Sequence, residues 1–396
     1  MKLSNRYPIF ATILCVFLSA CSSTSRTASD IRYHELLHDE YFPASDSVEI
    51  ESQDAIFALS PEAKSFVNNV VLPRKSQKEQ VHALVSAIFD HSSFDLLYSA
   101  EANNTASQTF SERAANCLSL TIMTYAMSKH VGLNSSFQKI LIPEFWTLRE
   151  GVTILNGHVN LRVKPESRFG KTVWGQSDLV IDFDPQQDTD LFAAKELSKA
   201  QISAMFYNNK AAEYILQRNY DFAYAYLKRA LEYDPYFKDA MLNLGFIYRK
   251  IDALEEAEQA YLAAIAVDED YLTAWDNLST LYKHTDRLEQ AQQIEQRLVR
   301  IRENNPYYHF MLAEIAYNRG QYASSAKHYK NAIKLDNKLH QFYFGLAQAY
   351  FQMNELDLAK RNLTLAKRKS GNSEHTERYE RKIDMLSQLS ARNHSN

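Results

Sequence analysis

From residue 204 onward the chain repeats itself every 34 residues, in five ungapped units that begin at Ala204, Lys238, Leu272, Pro306 and His340. A period of this length suits one helix–turn–helix unit that cannot bury its apolar surface alone and must stack on its neighbours. The fourth position of each unit carries Tyr207, Met241, Trp275, His309 and Tyr343, and the eighth is small throughout, as Ala211, Gly245, Ser279, Ala313 and Ala347. The eleventh carries Tyr214, Tyr248, Tyr282, Ala316 and Tyr350, and the twentieth is small again, as Ala223, Ala257, Ala291, Ser325 and Ala359. Large residues facing small ones let two helices interlock at close range. With only 9 Gly and 9 Pro in 396 residues, the chain reads as mostly helical.

This pattern resembles the tetratricopeptide repeat over about 170 residues. The resemblance implies an all-α solenoid whose curved surface holds a protein or peptide partner, with the spaced tyrosines serving the core and the binding residues drawn from other positions on the first helix of each unit. The third unit departs from the pattern, with Glu295 and Leu298 at positions usually aromatic and small, which predicts altered packing at its end. Beyond the units, residues 374–390 with Tyr379, Ile383, Leu386 and Leu389 predict an amphipathic helix that caps the array within a segment 374–396.

The N-terminus reads differently. Lys2 and Arg6 precede an apolar run from Pro8 to Ala20 that is short for a membrane span and suited to the core of a signal peptide. The tetrapeptide Leu18-Ser19-Ala20-Cys21 resembles a lipobox. That resemblance implies removal of residues 1–20, lipidation of Cys21, and, with Ser22 next, a bacterial outer-membrane lipoprotein facing the periplasm. Residues 21–30, rich in Ser and Thr, read as a flexible tether. A net charge of −4 gives no electrostatic reason to expect nucleic acid, and no Gly-rich phosphate loop or metal-ligand pair stands out, so no cofactor or metal is expected.

Between residues 31 and 200 helices come first and strands follow. Ser60-Pro61 and the capping box Ser76-Gln77-Lys78-Glu79 open two helices, and Asn116-Cys117 opens a third, over Leu118 to His130, that stops near Gly132. The stretches 137–142, 152–155, 158–163 and 179–183 predict antiparallel strands. Cys117 is the one cysteine of the processed chain apart from the lipidation site, and a helix N-terminus favours thiolate over thiol.

The order Asn116-Cys117-Leu118-Ser119-Leu120-Thr121, then Asn156-Gly157-His158-Val159-Asn160, then Val180-Ile181-Asp182-Phe183-Asp184-Pro185 resembles the transglutaminase-like superfamily, a papain-related cysteine fold, over roughly residues 60 to 190. The resemblance implies an α+β domain and a triad of nucleophile Cys117, base His158 and orienting acid Asp182, with Asp184 as the alternative acid. Function then has two readings. One is acyl transfer to water or to an amine, with the repeats recruiting the substrate; the other is a non-catalytic envelope scaffold for protein–protein interaction.

Overall fold

The computed structural model describes residues 32–89, 96–99, 101–141, 146–149, 152–155, 158–164, 178–181, 193–371 and 373–393. The expected leader, the tether with Cys21, and both candidate acids, Asp182 and Asp184, lie outside the described residues. No described helix is long and apolar enough to cross a membrane.

The chain enters through three short 3-10 turns, Tyr33–Leu36, Asp39–Tyr41 and Ser45–Ser47, then forms α1 (Gln53–Phe57), α2 (Pro61–Val71) and α3 (Gln77–Phe89). The start signals act as their chemistry dictates. Ser60 Oγ accepts the Ala63 N–H at 3.2 Å with Pro61 in the first turn, while Ser76 and Glu79 cap each other's backbone at 3.2 and 3.3 Å. Next come β1 (Leu97–Tyr98), α4 (Ala106–Glu112), β2 (Ala114–Ala115) and α5 (Cys117–His130), which ends at Gly132 with φ +83°.

Six strands follow: β3 (Ser135–Ile140), β4 (Trp146–Arg149), β5 (Val152–Leu155), β6 (His158–Val163), β7 (Leu179–Ile181) and β8 (Ala194–Leu197). Four of them form an antiparallel sheet in the order β7-β6-β3-β8, β4 and β5 form a hairpin, and β1 pairs with β2 in parallel. α5 packs on one face of the sheet, where the Tyr125 and Phe137 rings stack at 4.1 Å and Val159, Leu161 and Val163 are buried. The other face of the same strands carries Ser136, Gln138, Asn160 and Arg162 together with the buried Ile140, so it is more polar than the face under α5, with Gln138 and Asn160 buried. α5 is buried on nearly every side, which explains why its sequence is apolar without a clear stripe.

The remaining helices pair into hairpins: α6 (Lys199–Leu216) with α7 (Tyr220–Tyr233), α8 (Lys238–Lys250) with α9 (Leu254–Val267), α10 (Leu272–His284) with α11 (Leu288–Glu303), α12 (Pro306–Asn318) with α13 (Tyr322–Leu335), and α14 (His340–Gln352) with α15 (Leu356–Lys369). Four first helices begin at the residue that opens their 34-residue unit. The small residues at the eighth and twentieth positions are buried in all five units. Consecutive first helices touch, as α6–α8, α8–α10 and α12–α14 do, so the first helices line the inner side of the curve. The turn inside each unit places one residue in the left-handed region, Arg218, Asp252, Asp286, Gly320 and Asn354, again at 34-residue spacing. α16 (Ser373–Asn393) lies on α15 with Tyr379 and Leu386 buried.

The departure in the third unit has a structural consequence. One apolar cluster runs from Leu36 through the α+β unit to Leu298 on α11, and a second begins at Ala313 on α12 and reaches Leu386 on α16. Tyr261 in the second unit and Tyr329 in the fourth are buried knobs, but the corresponding Glu295 is half-exposed and ion-pairs with Lys283. With a carboxylate where an apolar ring belongs, α11 and α12 make sparse contact and the core divides there.

Candidate functional site

Cys117 is the first residue of α5 and is half-buried. Its position is fixed from three directions. Asn116 caps the helix, its Oδ1 accepting the Ser119 N–H at 2.9 Å. The Ser119 hydroxyl donates to Ala102 O at 2.8 Å and accepts the Asn104 N–H at 2.9 Å, which staples the loop before α4 onto the first turn. The β1–β2 pair sets Tyr98 opposite Ala115, and from there the Tyr98 hydroxyl lies 3.5 Å from Cys117 Sγ. Nothing in a two-residue strand announces that contact in the sequence.

Thr121, one turn along α5, bonds both halves of the candidate site. Its hydroxyl lies 2.7 Å from Cys117 O and 3.3 Å from Val159 O. The cysteine-bearing turn is thereby joined to the start of β6, whose first residue is His158, paired across the ladder with Ile140. Two positions further on, Asn160 is fully buried and neither its side-chain oxygen nor its nitrogen has a hydrogen-bond partner. An unpaired buried amide costs on the order of 1–3 kcal/mol, and such groups are rare unless they serve a ligand, a water or a reaction.

The cap of Cys117 is also wired to the repeats. Asn116 Nδ2 donates to Asn103 Oδ1 at 2.5 Å, and Asn103 Nδ2 donates to Glu213 Oε1 on α6 at 2.5 Å. A second approach is made by the β4–β5 hairpin, whose β4 backbone comes against α12. The α+β unit therefore touches the array at both its first and fourth units.

A further set of residues escaped the reading of large and small core positions. The sixth position of the first three units is asparagine, as Asn209, Asn243 and Asn277, all half-buried. Asn243 Nδ2 donates to Asn208 Oδ1 at 2.9 Å and Arg249 Nη2 reaches Asn277 Oδ1 at 3.5 Å, so Asn243 and Asn277 of this row are joined to the first helix before them. The 34-residue recurrence of asparagine is the signal that would have found it.

Comparison with known proteins bears on the array. The family described as tetratricopeptide repeat matches residues 214–280, and the family described as TPR repeat matches residues 313–354. An uncharacterized protein ycf37 of Guillardia theta is 35% identical over 73 residues, 18% of this chain and 41% of that protein, so the chain spans about two fifths of the curated relative it matches. Among solved structures, MamA is 18% identical, with 42% of this chain and 91% of that one covered and a TM-score of 0.24. YrrB, described as a TPR protein with an unusual peptide-binding site, is 18% identical over 45% of this chain and 92% of its own, with a TM-score of 0.24. Pseudomonas aeruginosa PilF is 16% identical over 50% and 95%, with a TM-score of 0.26. The helical array consists of tetratricopeptide repeats.

Proposed function

We propose that the chain is a protein-binding scaffold whose inner repeat face takes an extended segment of a partner. The observation that carries this reading is the amide row Asn209, Asn243 and Asn277 on the first helices. Asn243 spends one N–H on Asn208 and Asn277 spends one on Thr273 O, and the remaining N–H and carbonyl lone pairs of the row are the complement of the C=O and N–H groups of an extended main chain. Arg249 on α8, whose guanidinium reaches the Asn277 amide oxygen, stands beside the row and favours a segment with acidic side chains.

The test is the triple variant Asn209→Ala, Asn243→Ala, Asn277→Ala, assayed with peptides selected from a random display library on the unaltered chain. Three lost hydrogen bonds at about 0.5–1.5 kcal/mol each weaken binding by about 10-fold or more. The melting temperature is expected to stay within a few degrees, because the amides are half-exposed. Equal affinity for both proteins would refute the assignment of this face.

A second reading is favoured by the Thr121 hydroxyl, which ties the Cys117 turn to the strand that opens at His158. In it, the Cys117 thiolate attacks an amide carbonyl, the Cys117 backbone N–H holds the oxyanion, His158 protonates the departing amine, and a thioester remains for water or a second amine. Asp182, or Asp184, orients the imidazole. The inner repeat face would hold the protein substrate, and a lipid on Cys21 would keep the whole at the outer membrane facing the periplasm. The pH dependence of Cys117 alkylation tests the thiol step.

A further inference from the structure

The residues that precede the α+β unit lie across the other side of the array. The segment 33–48 runs over the second helices α7 and α9, away from the amide row. Its main chain is held by side chains. The Tyr248 hydroxyl accepts the His38 N–H at 3.1 Å and donates to Leu36 O at 2.8 Å, and Asp221 Oδ1 accepts the Ala44 N–H at 3.0 Å. Its side chains find dedicated partners. Asp39 takes the Lys228 ammonium at 2.7 Å and the Tyr224 hydroxyl at 2.8 Å, and those two groups hold its carboxyl below the usual carboxylate range. Phe42, 1% exposed, stacks on Tyr224 at 4.3 Å, and the Tyr41 hydroxyl donates to Glu256 at 3.0 Å.

Backbone bonds for affinity, one buried aromatic anchor and one paired carboxylate are the elements by which a protein surface recognises a short peptide segment, here one folded into three 3-10 turns. The four residues that supply most of them, Asp221, Tyr224 and Lys228 on α7 and Tyr248 on α8, belong to the first two repeats. We propose that the outer face of the first two repeats is a peptide-binding site occupied in cis by the chain's own residues 33–48. The chemistry it recognises is an acidic residue three positions before an aromatic one, Asp39 and Phe42 here. The inference is independent of the inner-face reading: it assigns a second binding surface and closes it to outside partners while the segment stays attached at high effective concentration.

The test uses the chain with a site-specific protease sequence inserted between Val48 and Glu49, where Glu49 is exposed. After cleavage the N-terminal fragment is expected to co-elute with the remainder in gel filtration while helix content by circular dichroism is unchanged. A labelled synthetic peptide of residues 33–48 is then expected to exchange into the cut protein and to be excluded from the uncut one. The same peptide with Phe42→Ala should bind about 100-fold more weakly, and Asp39→Asn about 10-fold. Loss of the fragment with the helices intact would overturn the proposal. Collapse of the helices on cleavage would overturn it too, since the segment would then be part of the fold and no separable ligand.

Discussion

Gly345→Ala is expected to destabilise the fourth and fifth repeats by about 3 kcal/mol and to leave the first three standing. Alanine is the better helix former by about 1 kcal/mol, so on an exposed helix the change would stabilise. Here a Cβ would overlap the Tyr329 ring. That ring has nowhere to go: it is 1% exposed, its hydroxyl is bonded to Glu314, and Phe310 packs edge-on at 5.9 Å. The steric term therefore outweighs propensity. Because the apolar core divides between α11 and α12, the damage is confined to the C-terminal part. Hydrogen exchange should show α12–α16 opening first, with α6–α10 as protected as before. A single cooperative loss across the whole array would show that the division at Glu295 carries no energetic weight.

The second large effect concerns the thiol. The chain beginning at residue 22 keeps Cys117 as its one cysteine, so iodoacetamide alkylation followed against pH reports on that residue alone. If the Cys-His reading holds, the rate at pH ~6.5 exceeds that of an ordinary thiol by about 10-fold or more and falls to ordinary behaviour in His158→Ala. The sign follows from linkage: a cationic imidazole beside the sulfur favours thiolate, so the excess reactivity lies at low pH and vanishes when the imidazole is removed. Tyr98→Phe separates the contribution of the hydroxyl at 3.5 Å from that of the histidine. Identical profiles for the parent and His158→Ala chains would make Cys117 a packed residue of the helix start.

What the sequence disclosed and what it withheld divide along a physical line. The repeats were legible because a stacked unit imposes the same side-chain volumes every 34 residues, and the volumes at the eighth and twentieth positions mark the helix contacts without any knowledge of the partner. Ser60 and Ser76 were legible as caps because capping is local, and the helix start at Asn116-Cys117 was legible although the cap bond of Asn116 came from the structure. The strands 152–155 and 158–163 were legible from their β-branched residues, whereas β8, Ala-Lys-Glu-Leu at the sheet edge, carries no such mark. The segment 33–48 was invisible: its 3-10 turns have no periodicity, and its partners lie some 180–210 residues away in sequence. The same holds for Asn103 and Glu213, whose bond joins the Cys117 cap to the first repeat. The amide row was within reach but hidden behind the stronger signal of the core positions.

The scaffold reading places the partner on the inner side of the array, and site-specific photocrosslinking tests this most directly. A photoreactive residue is introduced at Asn243 or Asn277 on the first helices, or at the exposed Leu262 or Val299 on the second helices, in living cells making the full chain. The account predicts a discrete protein adduct from Asn243 and Asn277 and none from Leu262 or Val299. An adduct formed from the second-helix positions and absent from the first would contradict it.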